Sequence, residues 1–282
     1  MSDNCKWRKI NKNDIKNAIE LLAGAEENYV SACAKFLMRD KTNDPIWVLA
    51  GNNGEIKGLV INSKSTILPV LCGRKEMPCA EFLKKLARSK NIHSVQGLKD
   101  EVRILEDEMR KTGKTAADII DYDLMSLDKL PEGTGKKARV SNLILRVPRM
   151  TDIDEMAPLQ AAYEKEEVIP KGSVLSPAAS RANIESIIAG GNILAAEVDG
   201  RLVGKINVNA VSFTRYQVGG VYVRPDYRGR GIAASMAYEF ITALINNGKG
   251  VTLFVKKINN AARRLYSGLG FSGQKDYRIT YY

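Results

Sequence analysis

The stretch Arg228-Gly229-Arg230-Gly231-Ile232-Ala233-Ala234 carries the clearest chemistry in the sequence. An apolar strand-like run at residues 217–223 precedes it, and Pro225 stops that run because proline cannot continue a central ladder. A helix-period run follows at 231–247, with Ile232, Met236, Phe240 and Leu244 on one face. A loop opening into a helix N-terminus leaves backbone N–H groups without partners, and the helix dipole adds partial positive charge there. Glycines let backbone approach a ligand with no Cβ in the way, and two arginines add full charge. Such a loop suits a phosphate or pyrophosphate. The plainer alternative is a glycine-rich turn with solvated arginines.

Other sources of chemistry are thin. Gly113-Lys114-Thr115 ends like a phosphate-binding loop, but Glu108 stands where the upstream glycine is needed. Four cysteines (Cys5, Cys33, Cys72, Cys79) form no C-x-x-C pair, and His93 is the single histidine, so neither a metal site nor a histidine-based triad is expected. The cysteines read as reduced and mostly buried thiols, and His93 as an ordinary strand residue. A net charge of +11 over 282 residues suits an anionic ligand. The basic residues are dispersed, which argues against nucleic acid. No apolar run of membrane-spanning length and no apolar signal core occur, so a cytoplasmic protein is expected.

Around the loop, the second half of the chain reads as alternating strands and helices. A strand at 142–147 leads to a helix at 152–166 with Thr151 as its N-cap, and a second helix covers 177–189. Strands at 192–198 and 202–212 join through Asp199-Gly200, a strong hairpin signal. A strand at 251–255, a helix at 259–269 and a strand at 277–282 close the order.

Together these features resemble the GNAT superfamily of acyl-CoA N-acyltransferases. That family carries R/Q-x-x-G-x-G/A between a strand and a helix, met here by Arg228, Gly231 and Ala233. Its second signature, N-x-x-A-x-x-x-Y-x-x-x-G-F, is met by Asn259, Ala262, Tyr266, Gly270 and Phe271. The resemblance covers residues 140–282. It implies that the main chain of Val221, Tyr222 and Val223 binds the pantetheine arm of acetyl-CoA and polarises its thioester carbonyl. By the same resemblance, the loop Arg228, Gly229, Arg230, Gly231, Ile232, Ala233 and Ala234 takes the pyrophosphate, and Asn259 contacts the cofactor while capping its helix. Tyr266 matches the tyrosine that protonates the departing thiolate in many relatives; its other reading is a packed core tyrosine. An amine acceptor needs a base, and Glu167 at a helix end or Glu197 in an apolar strand are the candidates, although a carboxylate at a helix end is often merely solvated.

The polar linker 131–138 divides the chain, and the halves echo each other. Gly54-Glu-Ile-Lys-Gly58 parallels Gly200-Arg-Leu-Val-Gly204, Arg8 parallels Arg146, and Asp14-Ile15 parallels Asp152-Ile153. In the first half the reading gives a helix at 14–38 broken near Gly24, a hairpin 46–50 with 55–61, a strand near 67–71, a helix 78–89, a strand 92–97 and a helix 99–111. Where the second half has its arginine-glycine loop, the first has one glycine, and Glu76 is expected to face the phosphate position. The expected fold is α/β: two tandem GNAT-like domains, each a mixed, mostly antiparallel sheet flanked by helices. Residues 1–130 form a degenerate copy without the CoA motif, and residues 139–282 the catalytic domain. The expected activity is acetyl transfer from acetyl-CoA to an amine-bearing acceptor, by a monomer or homodimer off the membrane. The alternative is a CoA-binding regulatory or protein-interaction module without turnover.

Overall fold

The computed structural model describes residues 5–74, 80–89, 91–131, 140–170 and 172–282. The first half runs β1 (Lys6–Lys9), α1 (Ile15–Gly24), α2 (Glu26–Leu37), α3 (Arg39–Thr42), β2 (Ile46–Ala50), β3 (Ile56–Ser63), β4 (Thr66–Val70), α4 (Ala80–Ala87), β5 (Ser94–Leu98), α5 (Lys99–Lys111) and β6 (Asp118–Leu127). The second half repeats this order without a counterpart to α3. It runs β7 (Leu143–Arg146), α6 (Ile153–Tyr163), α7 (Pro177–Ala189), β8 (Ile193–Val198), β9 (Arg201–Val211), β10 (Arg215–Val223), α8 (Ile232–Asn246), β11 (Gly250–Lys256), α9 (Asn260–Gly268) and β12 (Ser272–Tyr281). Mixed strand pairing, mostly antiparallel, and flanking helices agree with the expected fold class. Among the described residues no helix is long and apolar enough to cross a membrane.

The echo between halves has a physical basis. Arg8 on β1 pairs with Asp14 at 2.5 Å, and Arg146 on β7 pairs with Asp152 at 2.7 Å. Each aspartate also accepts a backbone N–H three residues upstream, from Asn11 at 2.8 Å and from Arg149 at 2.6 Å. The arginines hold both carboxyls below the usual carboxylate range. Each half therefore pins its first helix to its first strand by the same ion pair. This corrects the reading of Thr151 as an N-cap: the backbone turns at Arg149, and a helical turn at Met150–Asp152 leads into α6. α6 also ends earlier than expected, because Glu164–Val168 form a π-helical turn.

The sequence reading assigned no element to the segment that forms β6, and that strand determines how the halves join. Strand order is β1-β2-β3-β4-β5-β12-β6-β11-β10-β9-β8-β7. The last strand of each half has crossed over: β12 pairs with β5, β6 pairs with β11, and β6 and β12 pair with each other. Phe254 of β11 stacks on Tyr277 of β12 at 4.0 Å, with Tyr122 of β6 packed against Phe254 at 6.4 Å. One register step along the seam, Arg278 of β12 bonds Asp121 of β6 at 2.7 Å, and Lys99 reaches the same carboxylate at 2.7 Å. A second tie docks α2 on the β9–β10 turn, where the buried carboxylate of Glu26 accepts from Ser212 and from the N–H and hydroxyl of Thr214. Cys5 and Cys33 are buried but Cys72 is exposed, while Cys79, Glu76 and linker residues 132–138 lie outside the described residues. His93 is exposed just before β5, edge-on to Tyr281 at 5.8 Å.

Two outcomes follow from the seam. A chain starting at residue 139 lacks β5 and β6, so β12 loses both antiparallel partners and β11 is left with a bare edge. Aggregation or a non-cooperative melt is expected by size-exclusion chromatography and circular dichroism; a monomeric fragment with a sharp melt would refute the seam's importance. Asp121→Asn should lower stability by about 1–2 kcal/mol at neutral pH. Hydrogen bonding to Arg278 draws Asp121 down to about 2, below its unfolded value of 3.8. The contribution is therefore full above pH 5 or so, lost as pH falls through the folded value, and the variant's deficit should vanish in urea titrations near pH 2.

Candidate active site

β10 and β11 run parallel and pair only from Arg215↔Gly250 to Val218↔Leu253. Beyond that point they part, and Gly219–Val223 separate from Phe254–Lys256. Between them lies a cleft of about 1010 Å³. Its lining includes Val221, Tyr222, Val223, Arg228, Gly229, Gly231, Ile232, Ala233, Ala234, Asn259 and Tyr266, so the structure brings nearly all the sequence-predicted residues together. Arg230 is the exception in the loop: it lines a separate hollow with Asp226, Tyr227 and Asn142.

The loop needs its glycines. Gly229 has φ +75° and Gly231, the N-cap of α8, has φ +84°, a region that side chains with a Cβ rarely adopt. No capping side chain covers the first turn of α8. Arg228 donates from Nε to the Val223 carbonyl at 2.9 Å, lies over the Tyr222 ring at 5.3 Å, and bonds both Glu166 oxygens at 2.8 and 3.1 Å. Asn259 caps α9 by accepting from the Ala262 N–H at 3.1 Å, and its amide donates to Glu167 at 3.3 Å.

Tyr266 is buried on α9, with its ring edge-on to Phe271 at 5.7 Å. Burial pushes its phenol well above the usual range, and the nearby Tyr163 and Glu167 push in the same direction. It therefore keeps its proton at neutral pH. Glu167 lies 3.2 Å from Lys256 and lines the cleft. Glu197 is placed elsewhere: its carboxylate accepts from Arg146 at 2.7 Å, and it is absent from the cleft wall. Glu164 also points away, held below its usual range by bonds from Ser180, Gln160 and Asn183 that outweigh its burial.

Three further tyrosines surround this centre: Tyr163 from α6, Tyr122 from the exchanged β6 and Tyr281 from β12. The far wall is built by the first half, with Ser31, Ala34 and Lys35 of α2, Met38 at its C-terminus, Leu68 of β4 and Gln96 of β5. Sequence reasoning missed these residues because they belong to no local motif.

The first half contains the corresponding parting. β4 and β5 pair only at Thr66↔Ser94 and Ile67↔Val95. Here the loop after β4 has its own anion. Glu101 of α5 is buried and accepts from the N–H groups of Leu71 at 3.1 Å and Gly73 at 3.3 Å, and from the Tyr29 hydroxyl at 2.5 Å. Tyr29 in turn accepts from the Cys72 N–H at 3.1 Å. Burial raises the Glu101 carboxyl, with these hydrogen bonds opposing it.

The family model described as Acetyltransferase (GNAT) family matches residues 159–271. Residues 159–271 belong to the GNAT acetyltransferase family. Curated protein sequences give no match. Among solved structures, a GCN5-related N-acetyltransferase from Sphaerobacter thermophilus is 18% identical with TM-score 0.64, over 99% of this chain and 96% of that one. A tandem GNAT protein from the clavulanic acid biosynthesis pathway is 13% identical with TM-score 0.61, over 98% of each chain. A Drosophila protein is 13% identical with TM-score 0.71, again over 98% of each. At these identities the likeness is one of fold, and it shows that GNAT folds, some of them tandem, span the whole chain. The GNAT family is one of acyltransferases.

Glu101→Ala leaves the Leu71 and Gly73 N–H groups and the Tyr29 hydroxyl without their acceptor, so a loss of roughly 3 kcal/mol or more is expected in chemical denaturation.

Proposed function

We propose that the chain is an N-acetyltransferase that moves an acetyl group from acetyl-CoA to a primary amine by direct attack. The observation that carries this reading is the single cleft in which the parted strand, the Arg228–Ala234 loop and Tyr266 meet. Its volume suits an extended ligand, and the bare N-terminus of α8 suits a pyrophosphate at one end. Arg228 adds charge there, and its bond to Glu166 is exposed enough to exchange for a phosphate. Val221, Tyr222 and Val223 hold the pantetheine arm and present backbone donors to the thioester carbonyl. Asn259 steadies the opening of α9 beside it.

In the reaction the amine nitrogen attacks the thioester carbonyl carbon, forming the new C–N bond. The amine proton passes to Glu167, directly or through water. The C–S bond then breaks, and the thiolate leaves with the proton of Tyr266. Support for Glu167 over Glu197 comes from its place in the cleft beside Tyr266, whereas Glu197 is bound to Arg146. The first half is read as a copy that binds no CoA, since Glu101 already occupies the N–H groups of its loop, and it walls the acceptor end instead. A cytoplasmic enzyme, monomeric or homodimeric, accords with this reading.

Calorimetry with acetyl-CoA and an acetyl-CoA consumption screen against an amine library test the proposal. Gly231→Glu should abolish binding through bulk, backbone strain and like charge. Tyr266→Phe should lower kcat by roughly 10- to 100-fold while acetyl-CoA affinity stays within about threefold. Unaltered turnover in that variant removes the acid role. Saturable CoA binding with no amine acetylated would favour a binding module without turnover.

A further inference from the structure

Lys205 of β9 has no exposed surface, a rare state for a lysine. Its Nζ donates to Asn207 Oδ1 and to the Gly220 carbonyl, both at 2.9 Å, and lies 4.6 Å from the centre of the Tyr163 ring. The Tyr163 phenol also faces the Gly220 backbone. β10 bulges at the same place: its pairing with β9 passes from Gly219↔Asn207 to Tyr222↔Lys205, three steps against two. Gly220 has φ +62°. A Cβ there would fall 1.8 Å from Asn207 Oδ1, and one on Gly219 would fall 2.1 Å from Asn209 Nδ2. The glycine pair thus admits the side chains of β9 against the bulged strand. Asn207 donates onward to Asn209 at 2.9 Å, and Asn209 lines the cleft with Gly219 and Gly220.

We propose that Lys205 is a positioning residue that fixes the Gly219–Gly220 bulge and, through it, the backbone of Val221–Val223 that grips the thioester. The proposal rests on the acyl-transfer reading above. Stability alone is a poor reason for the residue, because a buried ammonium is costly and an apolar side chain of similar length would be cheaper. Its acceptors explain it better: without Lys205 the Gly220 carbonyl loses its donor at the point where the strand turns into the cleft. Burial draws Lys205 down to about 7, with the Glu164 carboxylate opposing. The groups facing it are Tyr163 of α6, whose phenol burial raises to about 12, and Glu164, held ionised by Ser180, Gln160 and Asn183. Lys205 is then the group in this cluster that titrates near neutrality. The ammonium holds its two acceptors more tightly than the amine does, so turnover falls as pH rises past neutrality.

Lys205→Met and Asn207→Asp test this, with acetyl-CoA binding measured by calorimetry and turnover across pH 5.5–9.5, a range chosen to bracket about 7. In Lys205→Met, kcat should fall roughly 30- to 100-fold, acetyl-CoA Kd should stay within about threefold, and the alkaline limb of the kcat profile should disappear. Asn207→Asp places a carboxylate against Nζ and should move that limb up by about one pH unit. Wild-type kcat or a wild-type limb in Lys205→Met overturns the proposal. If that variant does not fold, Asn207→Asp decides, and an unmoved limb overturns it. Failure of the wild type to bind acetyl-CoA removes the acyl-transfer reading and this one together; normal wild-type turnover with unaltered variants removes this one alone.

Discussion

Where two parallel strands of a sheet part company, the backbone groups between them lose their ladder partners and must find others or face solvent. A buried donor left without an acceptor costs about 1–3 kcal/mol, so the parting is sustained only where something answers it. The chain meets this constraint twice. Between β4 and β5 the answer is internal, with the Glu101 carboxylate and the Tyr29 hydroxyl taking the N–H groups of Leu71, Cys72 and Gly73. Between β10 and β11 no carboxylate among the described residues takes the N–H groups of the loop in this way. Ala261 and Ala262 at the start of α9 are small, and the gap stays open as the cleft. One construction thus yields a closed structural knot in the first half and a ligand cradle in the second.

The exchanged strands explain why the closed half is still part of the active unit. β6 pairs along β11 from Val251↔Leu127 to Lys256↔Tyr122, past the point where β10 has left, so it supports the free side of the cleft. It also brings Tyr122 to the wall, while β12 brings Tyr281, whose hydroxyl donates to the Val168 carbonyl at 3.2 Å beside Glu167. Glu26 fixes α2 to the β9–β10 turn, which carries Ser31 and Lys35 to the cleft wall. A first half that had lost its own loop chemistry would still be held to its fold by these contacts. Each half contributes a strand that the other's sheet cannot complete without.

What the sequence disclosed follows from how local each feature is. The loop, its helix and the Asn259–Tyr266 spacing are set within short segments, where glycine at positive φ, capping and helical period act on neighbouring residues. They were legible for that reason. The Arg8–Asp14 and Arg146–Asp152 pairs were visible as an echo but not as ion pairs, because their meaning depends on a strand lying beside a helix turn. β6 escaped notice: Asp118, Asp121 and Asp123 interrupt its apolar run, and Lys99 and Arg278 compensate Asp121 and Arg263 compensates Asp123 from distant parts of the chain. Glu101 carries no local signal, because its acceptor role depends on the loop after β4 folding over α5. Lys205 did leave a trace, since it shares strand parity with apolar Val203 in a run otherwise fit for burial. Only the bulge opposite shows why a cation belongs there.

Exposure ranks the ion pairs around the cleft by how readily they can part. The Arg228–Glu166 pair is 47% and 43% exposed, so it contributes little and the arginine is free to exchange partners. The Lys256–Glu167 pair is tighter at 14% and 30%, which keeps a carboxylate near Tyr266 without burying it alone. Arg146, 30% exposed, holds Asp152 and Glu197 at 17% each, and these three charges form a fixed strut under α6. A carboxylate used as a base must be free to change partners as its proton comes and goes. By that criterion the cleft-facing end of the π-helical turn is suited to chemistry and the strand carrying Glu197 is suited to structure, although both residues looked equally plausible from sequence.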